Sequence, residues 1–298
     1  PMTTDATELA VRAADRARDA AERAREAAEE AADRPTYETA ASFLAENPGL
    51  AERFRRRVRA QAIYRRGEAL HAKRDYAGAH PLLSEAVALD PDHDEARALL
   101  GWSEYLRGDY RAAIVTFKMG LRRQPSWEGL HDGLGWSRLR LGRFYLASTA
   151  FRAALDRNPE YVDAVIGLGS AQFELGRYAT SLSYLDNALR RLEPRFGEGP
   201  SVGAGVRAQV AWNLYYLGRY GEAVEMFEKT ITTQPGWYGL YNGAGWSYLG
   251  LGRKAEARSA FEKALSLKPG YEDAREGLSL ATDQPANGRG RATRAPRQ

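Results

Sequence analysis

The 298-residue chain sets 43 Lys and Arg against 39 Asp and Glu, a net charge of +4, with 44% hydrophobic residues, 29 glycines and no cysteine. Without thiols there is no disulfide framework, thiolate zinc site or cysteine nucleophile, and the compartment stays open between cytoplasm and periplasm or cell envelope. No apolar run approaches the ~18 residues a membrane helix needs, and so small a net charge does not by itself imply a nucleic-acid partner.

Residues 11–31 read as three heptads with alanine in three fixed slots: Ala13, Ala14, Ala17; Ala20, Ala21, Ala24; Ala27, Ala28, Ala31. Helix propensity is high there, and Asp15–Arg18 and Asp19–Arg23 add weak surface pairs. One reading is a close-packed alanine coiled coil that makes a homodimer. The other is a solvated helix, or one folded back on the chain. Residues 1–34 carry nine acids and six arginines, whereas 49–74 carry nine Lys and Arg against two acids, so the two segments attract. Pro1 is not an initiator, which leaves an upstream leader or anchor open. A helical lead-in follows at 35–59. Its run Arg53-Phe54-Arg55-Arg56-Arg57-Val58-Arg59 offers a basic surface for nucleic acid or an acidic membrane. The plainer reading is a solvated helix face with Phe54 and Val58, one turn apart, directed inward.

From residue 60 the chain keeps a period of 34. Pro91, Pro125 and Pro159 follow it, as do Pro235 and Pro269; so do Gly67, Gly101, Gly135 and Gly169, then Ala211 and Gly245. A second glycine set is Gly108, Gly142, Gly176, Gly218 and Gly252. Small residues (Ala79, Ala113, Ala147, Ser181, Ala223, Ala257) and large apolar ones (Leu83, Phe117, Phe151, Leu185, Phe227, Phe261) keep the same time. Apolar residues at helical spacing predict two amphipathic helices per period. The second glycine ends the first helix in a left-handed cap, the small residues allow close helix approach, and the proline stops the second helix.

These motifs resemble the tetratricopeptide repeat, W-x2-L-G-x2-Y then A-x3-F-x3-A then P. Two copies carry the likeness most fully: Leu134-Gly135, Ala147, Phe151, Ala154, Pro159, and Tyr241, Gly245, Tyr248, Ala257, Phe261, Ala264, Pro269. The resemblance implies an all-α, right-handed superhelical solenoid of six helix-turn-helix repeats at 60–93, 94–127, 128–161, 162–195, 204–237 and 238–271. Arg97, His131 and Arg207 depart from the pattern where the family prefers a large apolar residue, and Glu104, Arg138 and Gln172 replace its tyrosine. Those slots put the local packing in question. Residues 125–159 match 235–269 at 18 of 35 positions, an offset of three repeats plus eight residues. The extra eight fall in the Gly/Pro-rich stretch 193–203, so a loop at 196–203 divides four repeats from two. A capping helix is expected at 272–281, where the last repeat needs a neighbour, and a disordered basic tail from 282.

No nucleophile elbow, phosphate loop, dinucleotide fingerprint or zinc spacing is present, so neither a cofactor nor catalysis is expected. Asp90-Pro91-Asp92-His93-Asp94-Glu95 is rich in carboxylates, but in such an array it is an inter-repeat turn followed by an acidic helix start. The informative residues are aromatic. Trp102, Trp136, Trp212 and Trp246 follow the first-helix small residue. Tyr105, Phe173 and Tyr215 come three residues after that slot, and Trp127 and Trp237 stand at repeat junctions. In the family these slots resemble the concave, ligand-facing ones, and Asp132 and Asn242 lie one turn before two of the tryptophans. The family's clamp for the carboxylate of chaperone tails uses Asn and Lys, which these slots lack, so that partner is not expected. The rings either build a groove for a ligand or pack between helices where core is lost at Glu104, Arg138 and Gln172.

Three functions follow. The first is a non-catalytic scaffold that holds an extended peptide or partner protein in an aromatic groove. The second, by analogy with envelope tetratricopeptide proteins of polysaccharide export, is a module that stacks sugars on the tryptophans. The third is an oligomeriser acting through the alanine heptads.

Overall fold

The computed structural model describes residues 45–196 and 203–282. The alanine heptads, the insertion past residue 196 and the basic tail past 282 lie outside the described residues, and with them the expected dimer. Among the described residues there are thirteen helices and no strand. In chain order they are α1 (Pro48–Ala72), α2 (Tyr76–Leu89), α3 (Asp94–Leu106), α4 (Tyr110–Arg123), α5 (Glu128–Arg140), α6 (Phe144–Leu155), α7 (Val162–Glu174), α8 (Tyr178–Phe196), α9 (Ala204–Tyr216), α10 (Tyr220–Thr233), α11 (Tyr238–Gly250), α12 (Lys254–Leu267) and α13 (Glu272–Ala281). The chain is thus an all-α helical-repeat solenoid of antiparallel hairpins. It divides into two compact units, Pro1–Ser137 and Arg138–Gln298, with the boundary inside α5.

Local chemistry sets the helix ends. Gly108, Gly142, Gly176, Gly218 and Gly252 all have φ between +72° and +88°, the left-handed cap that only glycine enters cheaply. In the first repeat the same slot, 34 residues before Gly108, holds Arg74 at φ +62°. The Asp75 carboxylate accepts the Gly78 amide at 2.9 Å and starts α2; His93 Nδ1 accepts the Ala96 amide at 3.3 Å and starts α3.

The lead-in and the first repeat form one continuous 25-residue helix, α1. Phe54 and Val58 are 57% and 54% exposed, not inward as their spacing suggested. The reason is positional. Among the described helices α1 packs on α2 and α3 through the side that carries Ala60, Ile63 and Gly67, and at about 3.6 residues per turn Phe54 and Val58 lie on the opposite side.

Four of the repeats are joined to the helix that follows by a ring set against a glycine. In the first unit Phe117 lies between Gly101 of its own repeat and Gly133 of the next: an added Cβ would meet its ring at 2.7 and 2.3 Å. In the second unit Phe261 lies between Gly245 and Gly277, at 2.6 and 2.2 Å, Phe227 against Gly243 at 2.2 Å, and Phe151 against Gly167 at 2.4 Å. All four phenylalanines are fully buried. Where the slot holds leucine, at Leu83 and Leu185, the matching downstream position is Leu99 or Gln209 instead of glycine.

The polar departures from the repeat pattern also have partners. Arg97 donates to the carbonyls and carboxylates of the preceding turn, at Pro91 O and, at 3.3 Å, Asp94. His131 meets Pro125 O at 3.0 Å, Tyr241 donates to Pro235 O at 3.1 Å and Arg275 to Pro269 O at 3.2 Å. One slot therefore repeatedly ties the first helix to the carbonyl of the turn proline six residues earlier. The acidic turn at Asp90–Asp94 is bridged by Arg57 and Arg123, whose guanidinium groups reach Asp92 at 3.3 and 2.6 Å. Among the described residues no group of three or more His, Asp or Glu is placed to hold a metal, and no helix is long and apolar enough to cross a membrane.

Two outcomes test this packing. Gly243→Ala should lower the melting temperature, because overpacking costs about 1–3 kcal/mol and outweighs the ~1 kcal/mol of helix propensity gained. The loss should shrink in a Phe227→Leu background; equal losses in both backgrounds would show that ring and glycine are not interlocked. Arg74→Gly should stabilise the chain by about 1 kcal/mol in denaturant titrations, by relieving a side chain from the left-handed region.

Candidate functional site: the aromatic inner face

The first helices of the repeats lie on the inner side of each unit. In the second unit α7 touches α9, α9 touches α11 and α11 touches α13, while no comparable contact joins α8 to α10 or α10 to α12. In the first unit α1 touches α3, and α2 and α4 have no such contact. Helices that touch their counterparts stand on the short side of a curved stack, so residues on their free faces line the inside.

In the first unit Trp102 and Tyr105 lie together on α3, ring centroids 5.6 Å apart, and Tyr105 meets Tyr110 at 5.5 Å. Trp127, Asp132 and Trp136 are carried at the start and along the face of α5; Asp132 is buried and both tryptophans are half-buried. In the second unit the rings form a connected chain. Phe173 contacts Tyr178 (5.5 Å) and Tyr216 (5.7 Å), Tyr178 and Tyr216 stack at 4.6 Å with 11° between planes, and Tyr216 meets Tyr215 at 5.2 Å. Trp212 stands behind them, 5.6 Å from Tyr215 and edge-on to Phe227 at 5.4 Å. Trp246 repeats that edge-on contact with Phe261 at 5.5 Å. Trp212 and Trp246 are each 8% exposed, so most of each ring faces helices, and the half-exposed surface belongs to Phe173, Tyr215 and Tyr216. Trp237 precedes α11, half-buried, and Asn242 is fully buried within it.

Burial raises the Tyr215 and Tyr216 hydroxyls above the ordinary tyrosine range, helped by neighbouring tyrosines and by Asp273. They stay neutral donors at physiological pH. Asp273, the second residue of α13, accepts from Asn242 Nδ2 at 2.6 Å and from Trp246 Nε1 at 3.2 Å, both on its Oδ2. Tyr178, Tyr216, Tyr220 and Asp273 join the site beyond the residues that the sequence pattern singles out. Three helix-opening aromatics, Tyr110, Tyr178 and Tyr220, were open to detection, since Tyr76, Tyr110, Phe144 and Tyr178 follow the 34-residue period and Tyr220 adds the insertion. Asp273 recurs as Asp163, 110 residues earlier, but that recurrence says nothing of its contacts with Asn242 and Trp246.

Sequence profiles described as tetratricopeptide repeat match residues 70–134, 133–195 and 211–281. No curated protein matches the chain. Among solved structures, the APC/C hetero-tetramer Cut9-Hcn1 superposes with a TM-score of 0.67 at 18% identity, over 74% of this chain and 42% of that one. PilF of Pseudomonas aeruginosa gives 0.62 at 16%, over 76% and 99%. YrrB, described as a TPR protein with an unusual peptide-binding site, gives 0.53 at 19%, over 66% and 98%. At these identities the likeness is one of fold.

The polar slot behind the inner face is satisfied differently in each repeat. Gln172 Nε2 donates to Ser148 at 3.3 Å, Arg138 to Leu146 O at 2.9 Å, and the Tyr248 hydroxyl, pushed up to about 12, donates to Glu228. Glu104 is the costly member. Burial raises its carboxyl above 4.5 despite a hydrogen bond from Thr116, and its Oε2 is buried without a partner. His80 lies 3.8 Å away, but burial lowers its pKa, so it is neutral at neutral pH and supplies no countercharge. A carboxyl with a raised folded pKa stabilises fully below its unfolded value and loses that contribution as pH rises through the folded one. Glu104→Gln should therefore melt at a higher temperature than the native chain at neutral pH. The gap should close as pH falls towards about 4.5. A gap independent of pH would show that the carboxylate charge carries no penalty.

Proposed function

We propose, from the premise that the chain belongs to the tetratricopeptide-repeat family, that it is a non-catalytic scaffold holding an extended peptide of a partner protein along its inner helices. Members of the family are generally non-catalytic, and the repeats make this chain a protein-interaction scaffold. The observation that carries the finer reading is the chain of rings Phe173–Tyr178–Tyr216–Tyr215, connected from repeat to repeat on the inner side of the second unit. Tyrosine offers large rigid contact area at low entropy cost, with a hydroxyl for the peptide backbone. An extended or polyproline segment presents side chains at a spacing that a row of rings can read. The same feature favours peptide over glycan: Trp212 and Trp246 keep too little free ring face to stack on sugars. YrrB is a relative in fold whose description names a peptide-binding site.

Selecting a randomised peptide library on the full chain tests this reading. Selected peptides should lose roughly 30-fold in affinity on Tyr216→Ala, the scale of an interface hot spot, and much less on Tyr216→Phe. Soluble oligosaccharides at millimolar concentration should leave the tryptophan fluorescence unchanged. Peptides that bind Tyr215→Ala and Tyr216→Ala as tightly as the native chain would place the interface elsewhere.

A further inference from the structure

Resting on that peptide-binding reading, we infer that the inner face of α9, α11 and α13 carries a subsite for one cationic side chain of the peptide, arginine or lysine, with Asp273 as its counter-charge. The geometry begins with Asp273. Its Oδ2 takes two neutral donors, Asn242 Nδ2 and Trp246 Nε1, which hold the carboxylate in one orientation without cancelling its charge. Its Oδ1 accepts nothing from the described residues and is not buried, so one acceptor of a fixed carboxylate is open to solvent. No Lys, Arg or His among the described residues pairs with it. Lys268 stands over the Tyr238 and Tyr271 rings at 4.5 and 5.3 Å, and Arg275 turns back to Pro269 O.

The surroundings suit a cation and not an anion. Burial raises the hydroxyl pKa of Tyr215, Tyr216 and Tyr271, and the Asp273 charge adds to the rise at all three, joined by Glu174 at Tyr216, so that charge acts across the aromatic face. The buried Asn242 Oδ1 has no donor, and its carbonyl dipole adds further negative potential beside the carboxylate. Electron-rich rings beside a single carboxylate attract a guanidinium or ammonium group through both cation–π and ionic terms. In a half-buried site this pair is screened less than a surface ion pair.

The test compares selections of a randomised peptide library on the native chain and on Asp273→Asn. In this variant the amide oxygen can still accept from Asn242 and Trp246 while the charge is gone. Peptides selected on the native chain should share an arginine or lysine at one position. Replacing that arginine by citrulline should weaken binding roughly tenfold, and Asp273→Asn should abolish the difference. If the native chain selects peptides without a shared basic residue, or Asp273→Asn still prefers arginine over citrulline to the same degree, the subsite is overturned and the peptide reading stands. If the native chain selects no peptide, both fall. Should Asp273→Asn not fold, the arginine–citrulline difference on the native chain decides: it must diminish at high salt, and a salt-independent difference overturns the subsite.

Discussion

The contact on which the array depends is a phenylalanine of the second helix filling the space left by a glycine in the next repeat. Phe117, Phe151, Phe227 and Phe261 each press against a glycine sixteen residues downstream, close enough that a methyl group would not fit. A solenoid has no central core, so its stability is a sum over such neighbour contacts. The ring supplies the buried area and the glycine supplies the approach distance that brings consecutive inner helices into touch. The α8–α9 junction, where Leu185 faces Gln209, does without this contact and is closed by the rings of Phe173, Tyr178 and Tyr216 instead.

Polar residues in apolar slots are the second theme. By the repeat pattern, Arg97, His131 and Glu104 look like defects. Arg97 and His131 are instead hydrogen-bonded to the turn proline of the preceding repeat, in the arrangement that Tyr241 and Arg275 also adopt. The proline carbonyl is an acceptor that its own helix cannot use, and a long polar side chain six residues on can reach it. Glu104 gains no such compensation, since His80 beside it is neutral and one carboxylate oxygen is left over.

The architecture was legible because its determinants recur. Turn glycines with positive φ and prolines between hairpins repeat at 34 residues, and each has one physical meaning. The candidate site was legible only where it follows the same period: Trp102, Tyr105, Phe173, Trp212 and Tyr215 do. Asp273 does not stand out, because its role comes from a contact with Asn242 and Trp246 some thirty residues away in sequence. Phe54 and Val58 misled for a related reason: helical spacing shows which residues share a face, but not which face the neighbouring helices cover. The burial of Trp212 and Trp246 was equally out of reach, since it comes with their edge-on contacts to Phe227 and Phe261.

Contacts between like helices occur on one side only, which has a mechanical consequence. In the second unit the inner helices bear on one another, whereas the outer helices touch the next inner helix but not one another. Since like helices touch only along the inner row, the stack bends most easily about that row, and the neutral line of flexure runs through α7, α9, α11 and α13. Bending then changes the gaps between outer helices and leaves the separations along the inner row nearly constant. The ring-to-ring spacing is thereby insulated from the elasticity of the array, and the second unit can flex under load without altering the ruler along its inside.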